Sequence, residues 1–99
     1  MSKRLKDIQA MCGETLLVAN NWTAEAEKRG TTVSASTWTY SGAGTLTTDA
    51  LAGTKSTVRL TPTGCGVLAN TVTLADGEVL VGTRLVSVER VCSFNNSTI

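Results

Sequence analysis

The 99-residue chain contains no histidine, a single proline, and only one phenylalanine, one tyrosine and two tryptophans. Without histidine it lacks the side chain that most often serves as general base, proton shuttle or metal ligand near neutral pH. Ser-His-Asp and Cys-His nucleophile sets are therefore excluded. Charge is sparse as well. Only 17% of residues are charged and the net charge is +1, so there is no basic surface for the phosphate contacts that nucleic-acid binding needs. No apolar run approaches the ~18 residues that cross a bilayer, which argues against a membrane partner. Leu16-Leu17-Val18-Ala19 is too short for a secretory core, so synthesis and assembly in a cytoplasm are expected. Cys12, Cys65 and Cys92 are odd in number and have no CxxC spacing. They signal neither a disulfide framework nor a zinc site, so free thiols are expected, with Cys65 packed as a small hydrophobe. Without a leader, Asn21-Trp-Thr and Asn96-Ser-Thr match a glycosylation pattern only by chance.

What remains is strand composition on a one-domain length. Residues 1–12 form a basic N-terminal arm in which Leu5, Ile8 and Met11 recur every third position among Lys3, Arg4 and Lys6. Those apolar residues share a face if the segment is helical, and it reads either as a docking arm or as a frayed terminus. From Gly13 onward Thr, Val, Ser and Gly dominate, the residues that suit a pleated, half-buried surface. Strands are expected over 14–22, 31–40, 45–48, 55–61, 67–74 and 78–91, with a polar tail over 92–99. Residues 24–29 read as a connection, too short for a stable helix. Within 31–40, Val33 and Ala35 are odd whereas Trp38 and Tyr40 are even, so the strand is expected either to carry a β-bulge near Ser36-Thr37 or to be exposed to a partner on one face. Val58 and Leu60 alternate inward, and Leu68, Val72 and Leu74 share a face with Asn70. With Trp38 these five apolar residues are the predicted core anchors. Asp76-Gly77 marks a hairpin. Six or seven strands at this spacing predict an all-β, small antiparallel β-sandwich over residues 13–91.

A search for chemistry finds little. Glu25 with Glu27, and Asp76 with Glu78, are carboxylate pairs in polar connections and read as solvated surface. Gly42-Ala-Gly44 and Gly64-Cys-Gly66 lack the spacing and following helix of a phosphate cradle. Trp22, Trp38 and Tyr40 read as core anchors ahead of a stacking platform for sugars. No catalytic, metal or cofactor residue is predicted, and a non-enzymatic protein is expected.

One series of motifs is ordered: Gly13-Glu-Thr-Leu-Leu17, Asn21-Trp22-Thr23, Gly30-Thr-Thr-Val-Ser-Ala-Ser-Thr-Trp38, Thr57-Val-Arg-Leu60 and Asn70-Thr-Val-Thr-Leu-Ala-Asp-Gly-Glu78. The series resembles the small immunoglobulin-like β-sandwich structural proteins of tailed bacteriophages. The likeness lies in the order and spacing of common strand and turn residues across residues 13–88. It implies a non-enzymatic virion protein, foremost a capsid decoration or cement protein that binds the major capsid protein as a dimer or trimer. A tail or fibre component, or a free carbohydrate- or protein-binding module, is the alternative. The arm lies outside the resemblance. Its Lys3, Arg4, Leu5, Lys6, Ile8 and Met11 are the candidate partner-binding residues, the cations meeting acidic shell groups and the apolar residues supplying buried contacts.

Overall fold

In the computed structural model, which describes residues 2–89, the chain is an all-β sandwich of two packed sheets with one short helix. The expected tail over 92–99 and the last residues of the final strand lie outside those residues. Strands β1 (Ser2–Arg4) and β2 (Ile8–Ala10) precede β3 (Leu16–Asn21), helix α1 (Thr23–Lys28), β4 (Val33–Tyr40), β5 (Gly44–Ala52), β6 (Lys55–Pro62), β7 (Gly66–Leu74) and β8 (Val79–Val88). One sheet runs β8-β7-β4, with β1 and then β2 laid along the outer edge of β8; the other runs β3-β6-β5. All pairs are antiparallel except β1 and β2, which run parallel to β8. This is the B-E-D against C-F-G order of an immunoglobulin constant-type sandwich, with the first strand transferred to the edge of the last.

Alternation builds the core. Even positions of β6, β7 and β8 point between the sheets, and Val58, Leu60, Leu68, Val72 and Leu74 are each at most 1% exposed. Two apolar clusters result. Val18, Val58, Leu60, Leu68 and Val86 form one, with Trp38 and Tyr40 half-buried against it. Trp22, Val33, Val72, Leu74 and Leu80 form the other.

Several expectations are corrected. Residues 2–10 are not a helical or free arm: they pair with β8, whose edge would otherwise present unsatisfied backbone groups. The three-residue recurrence of Leu5 and Ile8 arises from a bend between two short strands, which turns Ile8 onto the core while Met11 stays 50% exposed. Residues 23–28 fold as a helix. Ala26 is completely buried, and the Asn21 side chain accepts the Thr23 N–H at 2.9 Å, so tertiary packing supplies what length cannot. The bulge in β4 falls between Val33 and Ala35, two residues earlier than expected, and leaves Ala35 on the outside. β5 continues to Ala52 through a second bulge between Thr47 and Ala50, where Thr48 adopts φ 53°. Cys65 is a free but exposed thiol, its Sγ accepting the Val88 N–H at 3.3 Å. Cys12 is disulfide-bonded, so the expectation of a free thiol fails there.

Candidate functional site

The interior holds a polar hub where the two apolar clusters meet. Asn70, on β7, is fully buried; its Oδ1 accepts from Trp22 Nε1 at 2.9 Å and from Asn20 Nδ2 at 3.2 Å. Its Nδ2 donates to Ser36 Oγ at 3.0 Å and to the Thr37 carbonyl at 2.9 Å. Ser36 in turn bonds Ser56, whose Oγ accepts from Trp38 Nε1 at 2.8 Å. The hub thus ties β3, β4, β6 and β7 together. It links the same two strands that a disulfide joins in antibody domains, with a tryptophan from the third strand of the fold alongside. No buried side-chain N or O among the described residues lacks a partner, so the hub is fully satisfied. Its amides, hydroxyls and indoles offer no group that exchanges protons near neutrality, and neither serine has a base beside it.

Arg84 extends the hub to the surface. Its Nη2 and Nε donate to Asn20 Oδ1 at 2.7 and 3.1 Å, Nη1 to the Lys6 carbonyl at 2.9 Å, and Nη2 to the Ala19 carbonyl at 3.2 Å. These acceptors are all neutral, and burial lowers the guanidinium pKa. Arg84 lines a groove of about 320 Å³ between β2 and β3 with Lys6, Asp7, Ile8, Leu16, Leu17 and Ala19, and Asp7 is paired with Arg4. Leu17 is 62% exposed there, the most exposed large apolar side chain described.

The candidate partner-binding residues separate on folding. Ile8 packs on the core, and Leu5 lies close over Gly82: a Cβ built on Gly82 would come within 2.8 Å of Leu5 Cδ1. Lys3 and Arg4 pair in β1 opposite Gly82 and Thr83, and the exposed Arg4 guanidinium meets Asp7 at 3.2 Å. Lys6 and Met11 are exposed. Of the carboxylate pairs, Glu78 bonds Arg29 at 2.8 Å, and Asp76 accepts the Glu78 N–H at 3.0 Å as a turn cap. Among the described residues no group of three or more His, Cys, Asp or Glu could hold a metal ion.

On the three-stranded sheet, Lys55 and Arg59 project from β6. On the other sheet the outward positions of β4, β7 and β8 fall in register. Ala35 lies beside Thr73 and Val79, Thr37 beside Thr71 and Val81, Thr39 beside Ala69 and Thr83, and Val67 beside Leu85, with Ser87 beyond. None of these residues is charged. Odd-position spacing in each strand was visible in the sequence, but the shared surface required knowing which strands are neighbours. Comparison with protein-family models, curated proteins and solved structures returns no match.

Proposed function

We propose that the chain is a non-enzymatic structural protein of a tailed-bacteriophage virion, and specifically a decoration protein that binds the major capsid protein on the head. The observation that carries this reading is the ordered motif series, carried on a sandwich with the immunoglobulin-type strand order. Among the described residues the buried polar hub is fully hydrogen-bonded, which suits a protein that holds a shape and presents surfaces. A domain of 99 residues buries only roughly two-thirds of its unfolded surface, so attachment to a lattice that binds the folded state alone adds stability by mass action.

The lattice contact in this reading is no longer a free arm, because Leu5 and Ile8 are used internally. Lys6 and Leu17, on the rim of the β2–β3 groove, take over that role, with Arg84 as a cation in its wall. An acidic segment of the shell protein bearing an apolar side chain fits those groups. The test is copy number per particle, by quantitative mass spectrometry of separated heads and tails. Hundreds of copies confined to heads support decoration. A handful travelling with tails moves the protein to the tail or fibre, and absence from both overturns the virion reading.

A further inference from the structure

We propose that a small pocket at the β5 bulge binds the guanidinium head of an arginine side chain presented by a partner protein. The pocket has a volume of about 200 Å³ and is lined by Trp38, Leu46, Thr47, Asp49 and Val58. Its origin is the bulge. Thr47 pairs with Arg59 and Ala50 with Thr57, so Thr48 and Asp49 together oppose the single residue Val58. Two residues against one bend the strand and re-aim a side chain. Thr48 absorbs the extra residue at φ 53°, a conformation uncommon for anything but glycine, and Asp49 beside it lines the pocket.

The wall and floor belong to the core. Val58 is buried, and Trp38 and Leu46 are half-buried against its cluster. Trp38 Nε1 donates to Ser56 Oγ at 2.8 Å, which anchors the ring from the hub side and uses the only donor an indole has. The pocket is therefore left with an aromatic ring, aliphatic surface, one hydroxyl and one carboxylate. Asp49 makes no ion pair or side-chain hydrogen bond among the described residues, and Arg59, opposite Thr47, does not reach it.

Those groups select the ligand. A carboxylate attracts a cation by charge, and an indole attracts one through its π electrons. A sugar needs donors as well as acceptors and would find no donor but the Thr47 hydroxyl. Guanidinium carries five N–H donors and no acceptor, stacks on aromatic rings and meets a carboxylate with two parallel bonds. An ammonium head is a strongly hydrated point charge without that planar fork. The apolar stem of an arginine suits the Leu46 and Val58 surface. No cation lines the pocket to hold the α-carboxylate of free arginine, which assigns the guanidinium to a protein chain. The partner need not be a virion protein.

Titrating the intact, isotope-labelled chain with N-acetylarginine N-methylamide, followed by amide and indole correlation spectra, tests the site. The Trp38 indole N–H and the Asp49 amide are expected to shift saturably, with a Kd of about 1–10 mM for so small a head group. The Trp22 indole N–H, buried and bonded to Asn70, is expected to stay in place. The correspondingly blocked citrulline, a neutral isostere, is expected to bind at least tenfold more weakly. Asp49→Asn, a conservative change at an exposed position, is expected to weaken binding at least tenfold, and Glu27→Gln, exposed on α1, to leave it unchanged. No saturable shift at Trp38, equal binding of blocked citrulline or of glucose, or full binding by Asp49→Asn overturns the proposal. Free L-arginine binding at least tenfold more tightly than the blocked form overturns the assignment to a protein side chain.

Discussion

Replacing Asn70 with leucine keeps the approximate volume of the side chain and removes every hydrogen bond it makes. Trp22 Nε1–H loses its acceptor at 2.9 Å, Asn20 Nδ2–H its acceptor at 3.2 Å, and the Thr37 carbonyl its side-chain donor at 2.9 Å. Ser36 and Ser56 keep each other. Trp22 is 1% and Asn20 4% exposed, so water cannot easily replace what is lost. A buried polar group left unsatisfied costs about 1–3 kcal/mol, and the added apolar burial returns about 1–2 kcal/mol. The net expected loss is about 1–8 kcal/mol, about 4 kcal/mol at mid-range, a large share of the roughly 5–15 kcal/mol that holds a domain of this size. At about 4–8 °C per kcal/mol, the mid-range loss lowers Tm by about 16–32 °C. Urea unfolding followed by tryptophan emission reads the effect, because both indoles belong to the hub. In a Trp22→Phe background, which has no indole N–H to strand, the Asn70→Leu loss should shrink by about 1 kcal/mol. A loss below about 1 kcal/mol with unchanged m, or no coupling to Trp22, would refute the claim that the hub's satisfaction holds the sheets together.

Three further outcomes are expected. Gly66→Ala places a Cβ 2.6 Å from the Gly42 Cα, where backbone meets backbone and cannot yield, so thermal unfolding should show a loss of about 3 kcal/mol or non-folding. Tyr40 titrates above its ordinary value of 10.0 because burial, and then the neighbouring Cys65, disfavour the phenolate. A proton held more tightly in the folded than in the unfolded state means stability is fully present below pH 10 and declines as pH rises through the folded-state pKa. Paired denaturation curves of the wild type and Tyr40→Phe should therefore diverge above pH 10 in slope against pH, and parallel slopes would contradict the assignment. Deleting residues 2–10 exposes the β8 edge, removes Ile8 from the core and takes the Lys6 carbonyl from Arg84. Calorimetry should show a lower Tm by 10 °C or more, or self-association through the bared edge, in place of an intact sandwich with a lost appendage.

The fold class was legible because alternation is a local property: the inward run Leu68, Asn70, Val72 and Leu74 can be read from β7 alone, and Asp76-Gly77 marks the turn that follows it. Asn70 could be seen on an inward face, but not what it would bond. Its partners Asn20, Ser36 and Ser56 come from three other strands, and no spacing within β7 encodes them. Trp22, near the end of a predicted strand, could equally have faced solvent; its burial follows from the Asn70 acceptor and from Gly82, which leaves room for the indole.

The N-terminal segment shows the limit most plainly. Leu5, Ile8 and Met11 recur with a helical spacing, and local propensity offers nothing to overrule that pattern. Only the empty edge of β8, some eighty residues away in the chain, turns the segment into two strands, because unpaired backbone groups are satisfied by pairing whatever the local period suggests. The run of uncharged outward positions on β4, β7 and β8 has the same origin. Each strand on its own merely alternates, and register across β4, β7 and β8 assembles their outward halves into one surface. Sequence alone determined that this chain would make strands and bury their alternate residues, since those choices depend on neighbours one or two residues away. Tertiary structure decided which strands meet, and hence the polar hub, the groove over Arg84 and the aligned uncharged rows of β4, β7 and β8, because each is built from residues brought together by long-range pairing.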